Sequence, residues 1–361
     1  MHRFQALLRI DPGESFDYLY RIPADHPAGT HWYHPHHHGT VADQLYGGLV
    51  GGLIVDRGGD VPVTTDRLLL VTDITLDGTG AVVPATATER TVGREGRLLL
   101  VNGQYQPTIT AAPGATERWR IVNACTSRFL ALRLEGHQLD QIALDGSFLP
   151  RPTGHDSVVL APGNRADILV RPQDTGRFTL LTDPYDRGSM MGRSTVGAGS
   201  TPLATLITSG PLRGAAPLPA ALPAEDPSTA PATRRRTTDF RMGMGGGGMG
   251  GGAGMAASVD GRTFDHDRDD QTVTFGSTEE WTVTNSSPLA HPFHIHVWPF
   301  TVLATSDDRP TTGTPQDVVI VPPRGWVRLR IPFTTLTGRS VYHCHILDHE
   351  DAGMMATVVV A

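Results

Sequence analysis

The chain has 361 residues, enough for two to three domains, with 30 basic and 37 acidic side chains and a formal net charge of -7. That balance argues against a nucleic-acid surface. No run of 18 apolar residues occurs, so no transmembrane helix is expected.

The segment Met1 to Ile10 lacks the apolar core and the small-residue cleavage site of a secretory signal. After the Pro12-Gly13 turn, Phe16, Tyr18, Tyr20 and Ile22 alternate with other residues and predict a short strand. The same rhythm recurs along the chain. Trp119, Ile121 and Asn123 follow Pro113-Gly114, and Ile168 and Val170 follow Pro162-Gly163. Val327, Leu329 and Ile331 follow Pro322, Pro323 and Gly325. Turn followed by alternation reads as antiparallel sandwiches with one face of each sheet buried. No long stretch has a helical period, and 28 prolines and 41 glycines punctuate the chain densely.

One stretch repeats. Ala115-Thr-Glu-Arg-Trp119-Arg-Ile-Val-Asn123 echoes Ser277-Thr-Glu-Glu-Trp281-Thr-Val-Thr-Asn285. Six residues after Asn285 stands His291, and six after Asn123 stands Phe129. The middle unit thus reads as a ligand-free copy of the last, a spacer between two metal-bearing units. Its His137 and His155 read as ordinary residues. The expected division is residues 1–60 as an incomplete first unit, 61–209 as the ligand-free second, 210–230 as a Pro/Ala-rich linker and 231–361 as the third. Residues 242–255 of the third are a Met/Gly-rich loop with Met242, Met244, Met249 and Met255. Thioethers favour Cu(I), although a flexible loop with incidental methionines has the same composition.

The chemistry lies in three histidine clusters. These are Trp32-Tyr-His34-Pro-His36-His37-His38-Gly39, then His291-Pro-Phe-His294-Ile-His296, then His343-Cys344-His345 followed by His349 and Met354. They hold ten of the 16 histidines. A thiolate, two imidazoles and a weak thioether form the ligand set of a trigonal blue-copper site, and Cys344 can supply the thiolate. Neighbouring side chains of a strand point to opposite faces, so His343 and His345 would face a different metal from Cys344. Cys125 is then left alone and reads as a small buried hydrophobe. His37 and His38 read as supporting or exposed residues.

These motifs resemble the multicopper oxidases, the family of laccases and of cuprous and ferrous oxidases. The family's H-C-H-x3-H-x4-M stands here as His343 to Met354, its H-P-x-H-x-H as His291 to His296, and its W-x-H-x-H as Trp32 to His36. The resemblance implies an all-β fold of three consecutive cupredoxin-like Greek-key β-sandwich domains, the first incomplete. It implies a mononuclear type 1 copper on His291, Cys344 and His349 with Met354 axial. A type 2/type 3 trinuclear cluster would use His34, His36, His296, His343 and His345 for its paired coppers and His294 for the third. It makes Glu350 a candidate proton donor and Asp351 a partner to the ligands. His291 and His349 are expected to lie nearest the surface, where a donor gives up electrons.

The implied reaction couples one-electron oxidation of a phenol, an aromatic amine or a metal ion such as Cu(I) or Fe(II) to four-electron reduction of O2 to water. The full-length protein is expected to be exported, with no nucleic-acid partner and no membrane span. In the copper-efflux oxidases a longer Met-rich insert at the corresponding place recruits cuprous ions. One departure stands out: the family's first motif, H-x-H-G, is absent, and the early His2 has no partner at that spacing. The chain therefore reads as a fragment or a misassigned start. The alternative function is a copper-binding, electron-accepting protein without full oxidase activity. A two-copper nitrite-reductase-like enzyme fits less well, because the histidines exceed what it needs.

Overall fold

A computed structural model describes residues 9–24, 26–56, 61–190, 193–194, 199–214, 217–244 and 255–361. Strands dominate, as the turn-and-alternation rhythm predicts. A seven-stranded and a five-stranded sheet are built from residues 65–208, and two five-stranded sheets from residues 234–360. Each pair closes over one apolar core. Trp119, Ile121, Leu130, Ile168, Leu180 and Leu206 fill the first. Trp281, Phe293, Phe333, Leu329, Tyr342 and Cys344 fill the second.

The internal repeat is a repeat of topology. The strand Glu117–Asn123 lies between a parallel neighbour, Thr65–Ile74, and an antiparallel one, Arg165–Val170. The strand Thr278–Asn285 lies between parallel Arg234–Met244 and antiparallel Trp326–Pro332. Trp119 and Trp281 are both fully buried. Truncating either to Ala would cost about 3–5 kcal/mol. The two asparagines that end these strands play one role. Asn123 Nδ2 donates to the carbonyls of Arg128 and Leu160, and Asn285 Nδ2 to those of Leu289 and Pro322. Each tethers the turn after its strand, so Phe129 and His291 occupy equivalent places.

Residues 29–55 contribute a hairpin, Gly29–Tyr33 with Gly51–Val55, and a helix α1, Val41–Tyr46. Two further helices are single turns: α2, Ala87–Val92, and α3, Leu347–Asp351. None had a sequence period long enough to read. The strand expected at Phe16 to Ile22 does not form. These residues find no ladder partner among the described residues, and a strand without one leaves its backbone groups unpaired. Their side chains stay exposed, with Tyr18 stacked on Tyr20. The Pro/Ala-rich segment is not a free linker throughout: Leu222 is buried against Val61, Phe148 and Leu149. Met249 lies outside the described residues. Met242 packs against the last core.

Candidate metal centre

The strand Gly338–Cys344 runs antiparallel to His291–Ile295, with Cys344 opposite Phe293 and His343 opposite His294. Residues directly opposite share a face, and residues two apart do too. His291, Phe293 and Cys344 therefore share the core face. His294, His296 and His343 share the other. One two-stranded register thus divides the ligand candidates between two sites back to back.

On the core face His291, Cys344 and His349 are all fully buried. Nδ1 of His291 is 3.3 Å from Cys344 Sγ and 3.3 Å from Nδ1 of His349, which is 3.9 Å from the sulfur. A point roughly 2 Å from all three atoms exists inside this triangle, close to metal–nitrogen and metal–thiolate bond lengths. The tautomers suit a metal. His349 Nε2–H donates to the carbonyl of Thr91 at 2.9 Å, leaving Nδ1 a lone pair. Ser287 Oγ donates to the carbonyl of Leu289 and so accepts from His291 Nε2–H at 2.7 Å, with the same result. Burial pushes His349 down to about 4 and His291 well below its ordinary value, so both rings stay neutral. Burial pushes the Cys344 thiol well up, a cost that a coordinating cation reverses by stabilising the thiolate. The N–H of Ile346 points at Sγ from 3.4 Å. Met354 is buried, and its carbonyl accepts from Cys344 N–H at 3.0 Å.

On the opposite face Nε2 of His343 is 3.1 Å from Nε2 of His296 and 3.3 Å from Nε2 of His36. These two triads are the groups of three donors within 4.8 Å found among the described residues. His34, His294 and His345 surround the second triad. The rings of His34 and His345 are 5.6 Å apart, and those of His294 and His343 are 5.3 Å apart. His34 and His294 spend Nδ1–H on the carbonyls of Pro35 and Asp317, which frees Nε2. Burial lowers His34 to about 3 and His294 to about 4. His37 is exposed, and His38 lies against Phe264.

Glu350 is fully buried with its Oε2 3.1 Å from His343 Nδ1 and its Oε1 3.6 Å from His36 Nδ1. Burial alone would raise its pKa, but the imidazoles of His343 and His36 bring it down to about 2. Burial would likewise lower His343, yet Glu350 raises it. Asp351 takes a different position. Its carboxylate accepts from the backbone N–H of Gly39, Val41 and Ala42 at the start of α1, at 2.7, 3.2 and 2.9 Å. This latches the His34–His38 loop onto α3, across more than three hundred residues of chain. Arg94 completes the clasp, donating to both oxygens of buried Asp348 and to Asp43. Removing one partner of so buried a pair would cost about 3–5 kcal/mol.

Two expectations change. His291 and His349 do not reach the surface, because Ser287 and the backbone of α2 cover their outer edges. The middle unit joins neither donor triad among the described residues but is more than a spacer, because Thr91, Arg94 and Gly163 touch the candidate histidines or α3. Nothing local marked those residues: each is distant in sequence from the histidine it supports.

The fold and the two back-to-back donor sets define a copper protein of cupredoxin-like sandwiches. Profiles described as "Multicopper oxidase" match residues 5–59, 66–209 and 229–361. A solved multicopper oxidase from Campylobacter jejuni, described as a metallo-oxidase, is 30% identical with a TM-score of 0.83, covering 94% of this chain and 73% of that one. Multicopper oxidase mco of Staphylococcus aureus is 27% identical over 97% of this chain and 72% of its own length. Cell division protein FtsP of Dickeya dadantii is 28% identical over 94% and 71%. The chain belongs to the multicopper oxidase family, and copper is the metal that family binds.

Proposed function

We propose that the protein is a copper-dependent oxidase that takes single electrons from a small reducing donor and delivers them to dioxygen. The observation that carries this reading is Cys344, whose side chain belongs to one donor triad while the residue before it, His343, belongs to the other. In this reading His291, Cys344 and His349 would hold the type 1 copper, with Met354 as a candidate fourth ligand. His36, His296 and His343, with His34, His345 and His294 around them, face the oxygen-reducing copper. Bound copper supplies one-electron acceptance at the first set and multi-electron reduction of oxygen at the second. The chain's own groups do the rest. Cys344 and His343 join the two sets through a single peptide unit. Glu350 holds its charge beside His343 and His36 and relays protons inward. Asp351 keeps the His34–His38 loop seated.

Donors in this reading are phenols, aromatic amines or metal ions. The buried edges of His291 and His349 favour donors that pass an electron without touching a ligand ring. Among the described residues no helix is long and apolar enough to cross a membrane; on the family resemblance, we propose export of the working protein. A second reading, a copper-binding electron acceptor without full oxidase activity, is favoured by one observation. Only one triad of imidazoles is complete on the oxygen side among the described residues.

Copper per chain after anaerobic loading and oxygen exposure, with the visible spectrum of the same sample, separates the two. About four coppers with an intense thiolate-to-copper band supports the oxidase. The same band with about one copper supports the electron acceptor.

A further inference from the structure

Among the described residues the middle unit joins neither donor triad, yet one of its turns lies directly beneath the histidine cluster. Gly163 follows Pro162 at a φ of +88°, and a Cβ built on it would stand 2.7 Å from Cδ2 of His345. Only glycine gives that ring its place. Two residues on, buried Arg165 forms a fork with Asp317: Nη1 to Oδ1 at 2.6 Å and Nη2 to Oδ2 at 2.8 Å. Asp317 is the residue whose backbone carbonyl accepts Nδ1–H of His294 at 2.7 Å. The remaining donors of Arg165 go to the carbonyls of Thr30, Gly163 and Asp145. Thr30 lies on the hairpin that leads into the His34–His38 loop. Asp145, also in the middle unit, accepts from Asn164 Nδ2 and from Val318 N–H at 3.1 Å. The guanidinium thus ties three parts of the chain together at the base of the cluster.

We infer that Arg165 is a positioning residue for His294, acting through Asp317, and that Gly163 sets the seat of His345. A bidentate arginine–carboxylate pair fixes both distance and plane. Asp317 so held presents its carbonyl in one direction, and His294 is locked as the Nδ1–H tautomer with Nε2 toward the cluster. Groups that orient a metal-ligating histidine in this way typically change metal affinity by about 10–100-fold when removed. The inference rests on the proposed copper roles of His294 and His345, but the metal-free arm of its test does not.

The test uses the full chain, first without metal. Nitrogen-15 NMR of the His294 ring should show a single Nδ1–H tautomer in the parent chain. In Arg165→Met it should show exchange between both tautomers. A parent-like ring in Arg165→Met overturns the inference. Cu(II) binding is then measured with the thiolate band as a monitor of the mononuclear site. Arg165→Met should bind cluster copper at least tenfold more weakly with the band unchanged, and Arg165→Lys, with charge but no fork, should fall between. Equal affinity in all three overturns the inference. If Arg165→Met does not fold, Arg165→Lys and Gly163→Ala decide in its place: displaced His294 and His345 resonances, respectively, support it, and unmoved ones overturn it. A parent chain that binds no cluster copper yet holds one His294 tautomer, lost in the variant, leaves the inference standing and counts against the oxidase.

Discussion

His349 donates its Nε2–H to the backbone carbonyl of Thr91 at 2.9 Å, so the outer edge of a candidate ligand imidazole is closed by α2. That helix buries none of its own side chains and begins with a capping box between Thr86 and Glu89. Its seat is correspondingly weak. Thr86→Ala removes the cap at a cost of about 1 kcal/mol and should let α2 fray. Reduction of the mononuclear site by a bulky phenol should then speed up several-fold, while reduction by a small metal-ion complex changes little. Stopped-flow bleaching of the thiolate band reads both rates. Unchanged rates for the two donors would mean that α2 does not limit access.

Cys344→Ser should abolish the intense visible band, because the hydroxyl is not a soft, charge-donating ligand. The triad of His36, His296 and His343 lies on the opposite face of the strand and should keep its copper. Metal analysis with electron paramagnetic resonance would detect it. Loss of all copper would show that the two sites do not load independently.

Glu350→Gln removes the buried charge between His343 and His36 while keeping the shape. Reoxidation by oxygen should slow by tenfold or more, the usual scale for a lost proton-transfer group, with little change in reduction of the mononuclear site. Equal slowing of the two half-reactions would refute a relay role.

The division of the candidate donors between two faces was legible because strand alternation acts over adjacent residues. His343, Cys344 and His345 could be assigned to faces from spacing alone, and the structure puts His343 and Cys344 on opposite faces as read. The repeat around Trp119 and Trp281 was legible for a similar reason, since a buried tryptophan and a turn-tethering asparagine recur at fixed spacing. What the spacing could not reveal was partnership. Phe16 to Ile22 alternate like a strand, but alternation does not supply a neighbour. His349 was expected nearest the surface, yet α2, some 250 residues earlier, lies over it. Arg165 and Gly163 carry no motif, and their importance exists only once the units are packed together.

The metal-free chain should lose stability in acid over a defined window. Burial holds His34 down to about 3 and His294 and His349 to about 4, whereas the unfolded rings titrate near 6.5. Between those values the unfolded chain binds more protons than the folded one, so stability falls as pH drops from about 6.5 toward 4. The melting temperature should fall by roughly 10 °C or more across this window. Copper-loaded protein should resist further down, because a coordinated nitrogen is not free to take a proton. A flat melting temperature from pH 7 to 4 in the metal-free chain would show that these rings are not held neutral by burial.

Arg187 should set the reduction potential of the mononuclear site. Its backbone carbonyl accepts from Ala290 N–H at 2.7 Å, one residue before His291, and its guanidinium is buried over the ring of Phe129. Phe129 is the counterpart of His291 in the repeat, so the cation sits where the two copies meet. Its positive charge acts on His291, His349 and Cys344 and is partly offset by Glu95, 3.3 Å away. A nearby cation favours the reduced, less positive state of a metal site. Arg187→Met should therefore lower the potential, and Glu95→Gln, which removes the offsetting charge, should raise it. Redox titration of the thiolate band in both variants checks the pair of signs. Shifts in the same direction would mean that altered packing, rather than charge, sets the potential here.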